Sequence, residues 1–207
     1  VKYPLPNMPN TLGANRKFAA LFVSLLAFFV LAACGSNYPA PVFINSPDCD
    51  DLMHGVLPVT DLTLSTNGID IALQAEMANN SSKRTQGLMC RESFPPDTGM
   101  LFTYESDRTS GFWMYNTYVA IDILFIDSSG NVVDKIAMMP CPREELADDD
   151  WKVKCATDAN AYIPSDEWRY SLELPADWLS DQNIGDAIVR SMNVSWPEFE
   201  MDEPTAE

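Results

Sequence analysis

GFWMYNTYVAIDILFID, residues 111–127, is the densest apolar and aromatic stretch outside the N-terminal leader, yet it contains Asn116, Thr117 and Asp122. On a pleated strand Phe112, Met114 and Asn116 alternate with Trp113, Tyr115 and Thr117, so neither face reads as simply solvated. One face is then core, and the other is covered or is a binding surface. Residues 121–126 read as a second strand, buried on both faces, with Asp122 near its entrance. An unpaired buried carboxylate is too costly to persist, so Asp122 predicts a nearby donor, either Arg84 or the amide of Asn116. Two roles stay open for this set. Asp122 fixes the start of a strand among core residues, or Trp113, Tyr115, Asn116, Thr117 and Asp122, with Arg84, line a small pocket that binds a ligand.

Outward from this stretch the pattern is mostly β. Residues 61–65 and 69–77 flank Thr66-Asn67-Gly68, and Asn-Gly is a strong hairpin signal. In the second arm Ile69, Ile71, Leu73, Ala75 and Met77 take one face, with Asp70, Gln74 and Glu76 on the other. Residues 79–82 supply N-caps for a short helix over 83–89 that ends near Gly87. Residues 95–99 form a turn, 100–102 begin a strand, and 106–110 read as a polar loop. Downstream, 127–131 turn the chain into a strand over 132–138. Residues 168–174 alternate cleanly, placing Glu173 on the wetter face or against a groove. Residues 175–178 open a short helix, and 187–189 read as the last strand. The expectation is a single compact β-sandwich or partly open β-barrel with one or two short helices, over residues 60–192.

The termini read differently. Residues 1–33 carry three basic and no acidic residues, and 18–33 are almost wholly apolar, as in a secretory leader. Leu31-Ala32-Ala33-Cys34 resembles the lipobox of bacterial lipoproteins, which implies lipidation at Cys34 and a bilayer as partner. Gly35 follows where an aspartate would resemble an inner-membrane retention signal, so the expected location is the outer membrane, facing the periplasm. Residues 34–59, rich in Pro, Asn, Ser and Asp, read as a flexible spacer, and 193–207 as an acidic disordered tail. Beyond the leader ten basic residues face 30 acidic ones, a net −20. Such a surface argues against nucleic acid as a partner.

In an exported protein Cys141 and Cys155 read as a disulfide around an acidic insert. Cys49 and Cys90 are left either to pair or to stay free. The insert lacks the spaced ligands and turning glycine of a calcium loop, so its charge reads as solvated. His54 is the sole histidine and lies in the spacer. No metal site or cofactor is expected, and no Ser-His-Asp set can be assembled.

Several segments together resemble the domain-of-unknown-function 192 family. They are Arg84-x-x-Gly87-Leu88-Met89, Gly99-Met100-Leu101-Phe102, Phe112-Trp113-Met114-x-Asn116-Thr117, Asp122 with Phe125-Ile126-Asp127, Pro140-Cys141, and Leu172-Glu173-Leu174-Pro175-Ala176. The resemblance spans about residues 68–190 and implies a compact, mostly β domain, with no activity attached. Cys90 stands where that pattern more often has a bulky apolar residue, and Asp177 where it usually has glycine.

Two functions follow as expectations. The first is a lipid-anchored, non-catalytic binding or structural module of the cell envelope, with a small polar ligand or glycan held around 113–122 by aromatic faces and directed hydrogen bonds. The second is an enzyme acting on envelope carbohydrate with Asp122 and Glu173 as paired carboxylates, which requires both on one side of the sheet.

Overall fold

The computed structural model describes residues 38–197. Seven strands form one mixed sheet: β1 (Val59–Thr66), β2 (Ile69–Ala78), β3 (Thr98–Arg108), β4 (Ile121–Ile126), β5 (Val132–Met138), β6 (Trp168–Pro175) and β7 (Asn193–Ser195), in the order β5-β4-β6-β3-β2-β1-β7. Every pairing is antiparallel except β2 with β3. A parallel pair needs a long crossover, and the chain between these two carries α1 (Ser81–Gln86). The other helices are α2 (Asp148–Asp158), α3 (Trp178–Asp181) and α4 (Asp186–Val189). At one corner the two edges of the sheet touch through an isolated bridge between Asn131 and Asn193. The sheet therefore curls without closing into a barrel, in keeping with the mostly β expectation.

The hairpin β1–β2 turns on Asn67 and Gly68, both with positive φ (46° and 80°), as a two-residue turn matched to strand twist demands. β4 is buried at every residue, and β6 at all but its second and last. That double burial follows from cover on both faces. One face packs Leu62, Leu101, Leu124 and Leu172 against Trp178, Leu179, Ile184 and Trp196. The other packs Met100, Phe102, Ile123 and Phe125 against Met114, Trp151 and Trp168.

Several expectations are corrected. Residues 112–117 are not a strand: Tyr115 makes only an isolated bridge to Cys141, and Asn116 is left-handed (φ 55°), which breaks any ladder there. The stretch is instead a loop laid over the sheet, with Phe112 and Met114 pointing inward. β3 runs on through 106–108, where a loop was expected. Residues 187–189 lie in α4, and the last strand is β7. The cleanly alternating 168–174 is a central strand with two buried faces, so Glu173 is not on a wet side.

The expected spacer is, from residue 38 on, stitched to the sheet. Cys49 is bonded to Cys90, Ile44 N–H donates to Cys90 O at 2.8 Å, and Leu57 N–H donates to the Glu76 carboxylate at 2.7 Å. Cys141 and Cys155 form the second disulfide, and α2 fills the acidic insert. Trp196, placed in the tail by sequence, is buried and meets Tyr170 edge-on. The residues expected to form a leader, Cys34 and residues 198–207 lie outside the described residues. Among the described residues no helix is long and apolar enough to cross a membrane.

Candidate functional site

A cavity of about 470 Å³ opens between the end of β3, the start of the 111–120 loop and the chain just after α2. Three local features build it. Asn80 caps α1 by accepting from Lys83 N–H at 3.0 Å, which fixes the short helix on which Arg84 rides. Arg84 Nη1 donates to Thr103 O at 2.8 Å, and its guanidinium lies 4.7 Å from the centre of the Tyr104 ring. Beyond an irregularity in the β3–β6 register, Arg108 reaches the same ring at 4.6 Å. Gly111 then lets the chain pass 162–163 at a distance no side chain permits, since a Cβ there would fall 2.1 Å from Tyr162 O.

That close pass turns the loop so that its side chains part. Phe112 goes inward against Phe102, Phe125 and Trp168. Trp113 goes outward, 44% exposed, and lines the cavity. Its ring stacks on Tyr115 at 4.9 Å, and Tyr115 meets the buried Trp151 at a tilt, 4.2 Å between ring centres, so the exposed indole is backed by an aromatic row that ends in the core.

Beside this cavity lies a crevice of only about 40 Å³ that shares Arg84, Phe112 and Trp113 with it and reaches Thr117 and Glu173. Glu173 is 4% exposed, and its Oε2 has no hydrogen-bond partner. Burial pushes its carboxyl up to about 8, against a weaker downward pull from Arg91. At neutral pH this group is therefore held largely as the acid, able to donate a hydrogen bond into the crevice.

Asp122 does not belong to this site. In the register of β4 with β6, Glu173 faces Ile123 while Asp122 faces Leu174, so the two carboxylates project to opposite faces. They cannot flank one substrate. The partner of Asp122 is neither Arg84 nor Asn116: Lys135 Nζ stands 3.5 Å from it and Asp177 N–H donates at 3.2 Å. Asp177 can point its N–H there because it is left-handed (φ 65°), the conformation glycine adopts most easily. Burial still raises the Asp122 carboxyl, with Lys135 opposing.

Of the residues singled out by sequence, the structure gathers Arg84, Trp113, Thr117 and Glu173 and leaves out three. Tyr115 supports Trp113 from behind. Asn116 is buried and ties the loop down, its side-chain amide N–H donating to Asp48 O at 2.9 Å and its backbone carbonyl accepting from Cys90 N–H at 2.8 Å. Asp122 is on the far face. Sequence reasoning missed Tyr104 and Arg108, because 106–110 read as loop; carried on as a strand, positions 104 and 108 share a face and would have drawn notice. It also missed the buried pair of Arg91 and Glu76, joined by two bonds of 2.6 and 2.9 Å. His54 stacks on Phe43, and among the described residues no group of three or more His, Cys, Asp or Glu could hold a metal ion.

The chain belongs to the DUF192 family, described as "Uncharacterized ACR", which it matches over residues 62–189. No curated protein matches the chain. Among solved structures it is similar to a protein of Sinorhizobium meliloti 1021 described as a candidate transcription regulator, with 28% identity and a TM-score of 0.53 over 68% of this chain and 95% of that one. It is also similar in fold to a protein of unknown function from Novosphingobium aromaticivorans DSM 12444, with 18% identity and a TM-score of 0.51 over 77% and 94% of the two chains.

Proposed function

We propose that this chain is a lipid-anchored module of the bacterial envelope, tethered through Cys34 at the outer membrane and facing the periplasm, which binds a small polar ligand or glycan without chemistry of its own. The observation that carries the binding reading is Trp113: a large indole, 44% exposed at the rim of a 470 Å³ cavity and held from behind by Tyr115 and Trp151. A core tryptophan would be covered, whereas a rigid exposed indole offers a flat face to a sugar or another ring at little entropic cost. Two disulfides fit an oxidising compartment and so support export. The carboxylate-enzyme reading has no support from Asp122 and Glu173, which lie back to back. Nor does the regulator description of the Sinorhizobium protein suit this chain, whose net charge of −17 repels nucleic acid.

The test is a tryptophan-fluorescence titration of the purified chain with envelope oligosaccharides and small polar metabolites, with Trp113→Phe as control. A saturable change that the variant loses is expected. A saturable change that the variant keeps would place the ligand elsewhere, and no change with any compound would leave a structural role.

A further inference from the structure

Charge is distributed around the cavity in a way not repeated elsewhere among the described residues. Seven of the ten basic residues beyond the leader, Arg91, Lys135, Arg143, Lys152, Lys154, Arg169 and Arg190, stand in ion pairs with carboxylates. Of the other three, Lys83 points its ammonium at the amide oxygen of Asn79. The remaining two are Arg84 and Arg108, and both line this one cavity. Among the described residues neither is in an ion pair, and no aspartate or glutamate lines the cavity, in a chain with 30 acidic residues.

Both guanidinium groups lie over a single ring, Tyr104, at 4.7 and 4.6 Å from its centre. Two cations held so near each other repel, and contact with the ring face offsets only part of that cost. Their own environment thus favours an added negative charge. A guanidinium also presents a planar fork of donors that matches a carboxylate or phosphate, and Arg84 spends only Nη1 on Thr103 O among the bonds that hold it. Next to the pair stands the exposed indole of Trp113, and beyond it the neutral carboxyl of Glu173 closes the narrow crevice without adding negative charge to oppose an anion.

We propose that the ligand of this cavity is an oxyanion, a carboxylate or phosphate borne on a ring that offers an apolar face, with its charge held by Arg84 and Arg108 and its ring against Trp113. The inference rests on the binding reading above and names the ligand class for the same site. Sugar acids and aryl phosphates share this chemistry, and the two are told apart by separate probes.

The experiment titrates the purified full chain, followed by tryptophan fluorescence and checked by calorimetry, with two matched pairs: glucuronate with glucose, and phenyl phosphate with phenol. At least one anion should bind ten-fold or more tightly than its neutral partner, and the preference should shrink as salt rises from 20 to 300 mM. Arg108→Gln, at an exposed position, should weaken the anion about ten-fold and leave the neutral compound unchanged. Arg84→Lys keeps the charge but loses the fork, and should fall between the two. Which pair shows the preference tells a sugar acid from an aryl phosphate. Equal binding of anion and neutral compound, untouched by Arg108→Gln, overturns this inference while leaving the binding module standing. Anion binding that survives both substitutions moves the site elsewhere and overturns it as well. Failure of all four compounds to bind overturns this inference, and the binding reading then stands or falls with the wider titration of oligosaccharides and metabolites.

Discussion

Two buried carboxylates in this fold carry opposite consequences. Glu76 is fully buried and takes both arms of Arg91, with a third bond from Leu57 N–H, so its charge is matched within the interior. Removing one partner strands the other. Arg91→Met, which strips the buried Glu76 carboxyl of its cationic partner, is expected to destabilise the domain by about 3–5 kcal/mol in a denaturant titration. Glu173 has no such partner, and its carboxyl sits at about 8 instead of the ordinary 4.5. Between those two pH values the unfolded chain has released the proton while the folded chain still holds it, so stability falls as pH rises through that interval and levels off above it. The slope expected from this one group is about 1 kcal/mol per pH unit. Asp122, also raised by burial, adds a change of the same sign. Glu173→Gln should flatten most of the decline and make the domain more stable than the parent at pH 8, with little difference at pH 4.5. Denaturant midpoints from pH 4.5 to 8.5 test both statements, and a parent midpoint rising across this range would contradict the assignment of a neutral Glu173.

At the scale of elements, what the sequence made legible is what depends on neighbours along the chain. The Asn67-Gly68 hairpin, the capped helix ending at Gly87, the buried run of β4 and the Cys141–Cys155 bridge each rest on local chemistry. Residues 112–117 show why the remainder was hidden. A loop that covers a sheet needs apolar side chains inward and others outward, and over six residues this imitates the alternation of a strand; only Asn116, a residue type that tolerates the left-handed region, hinted otherwise. The site was half legible for the same reason: the loop residues were noticed, while Tyr104 and Arg108 meet Arg84 only through the β2–β3 crossover. Glu76, read as lying on the exposed side of its strand, is buried because residues 38–58 and Arg91 close over it. That closure hangs on the Cys49–Cys90 bridge, whose partners are 41 residues apart. Replacing both cysteines by alanine should cost up to about 4 kcal/mol by the chain-entropy estimate. Proteolysis should then cut first within 50–58, detectable by mass spectrometry of the fragments, whereas a cut between 141 and 155 would place the weak point in the other loop.

For the whole molecule the governing quantity is charge. Thirty acidic residues face 13 basic ones, and most of the ion pairs that relieve this excess have at least one partner in contact with solvent. Exposed pairs of this kind contribute little each, while repulsion among the surplus carboxylates is spread over the entire surface and acts against the compact state. Salt screens both, but it removes a long-range net repulsion among many charges and only a few short-range attractions. The sign of the salt effect is therefore set by the excess. Raising sodium chloride from 20 to 300 mM at pH 7 should increase the melting temperature by a few degrees, the shift expected when about 1 kcal/mol of repulsion is relieved in a domain of this size. Arg91→Met tests the origin of the shift: its missing pair is buried, beyond the reach of mobile ions, so the variant should melt lower than the parent at every salt concentration yet gain the same increment. A fall in melting temperature with salt would mean that the surface ion pairs outweigh the surplus charge. A rise lost in Arg91→Met would trace the effect to the interior.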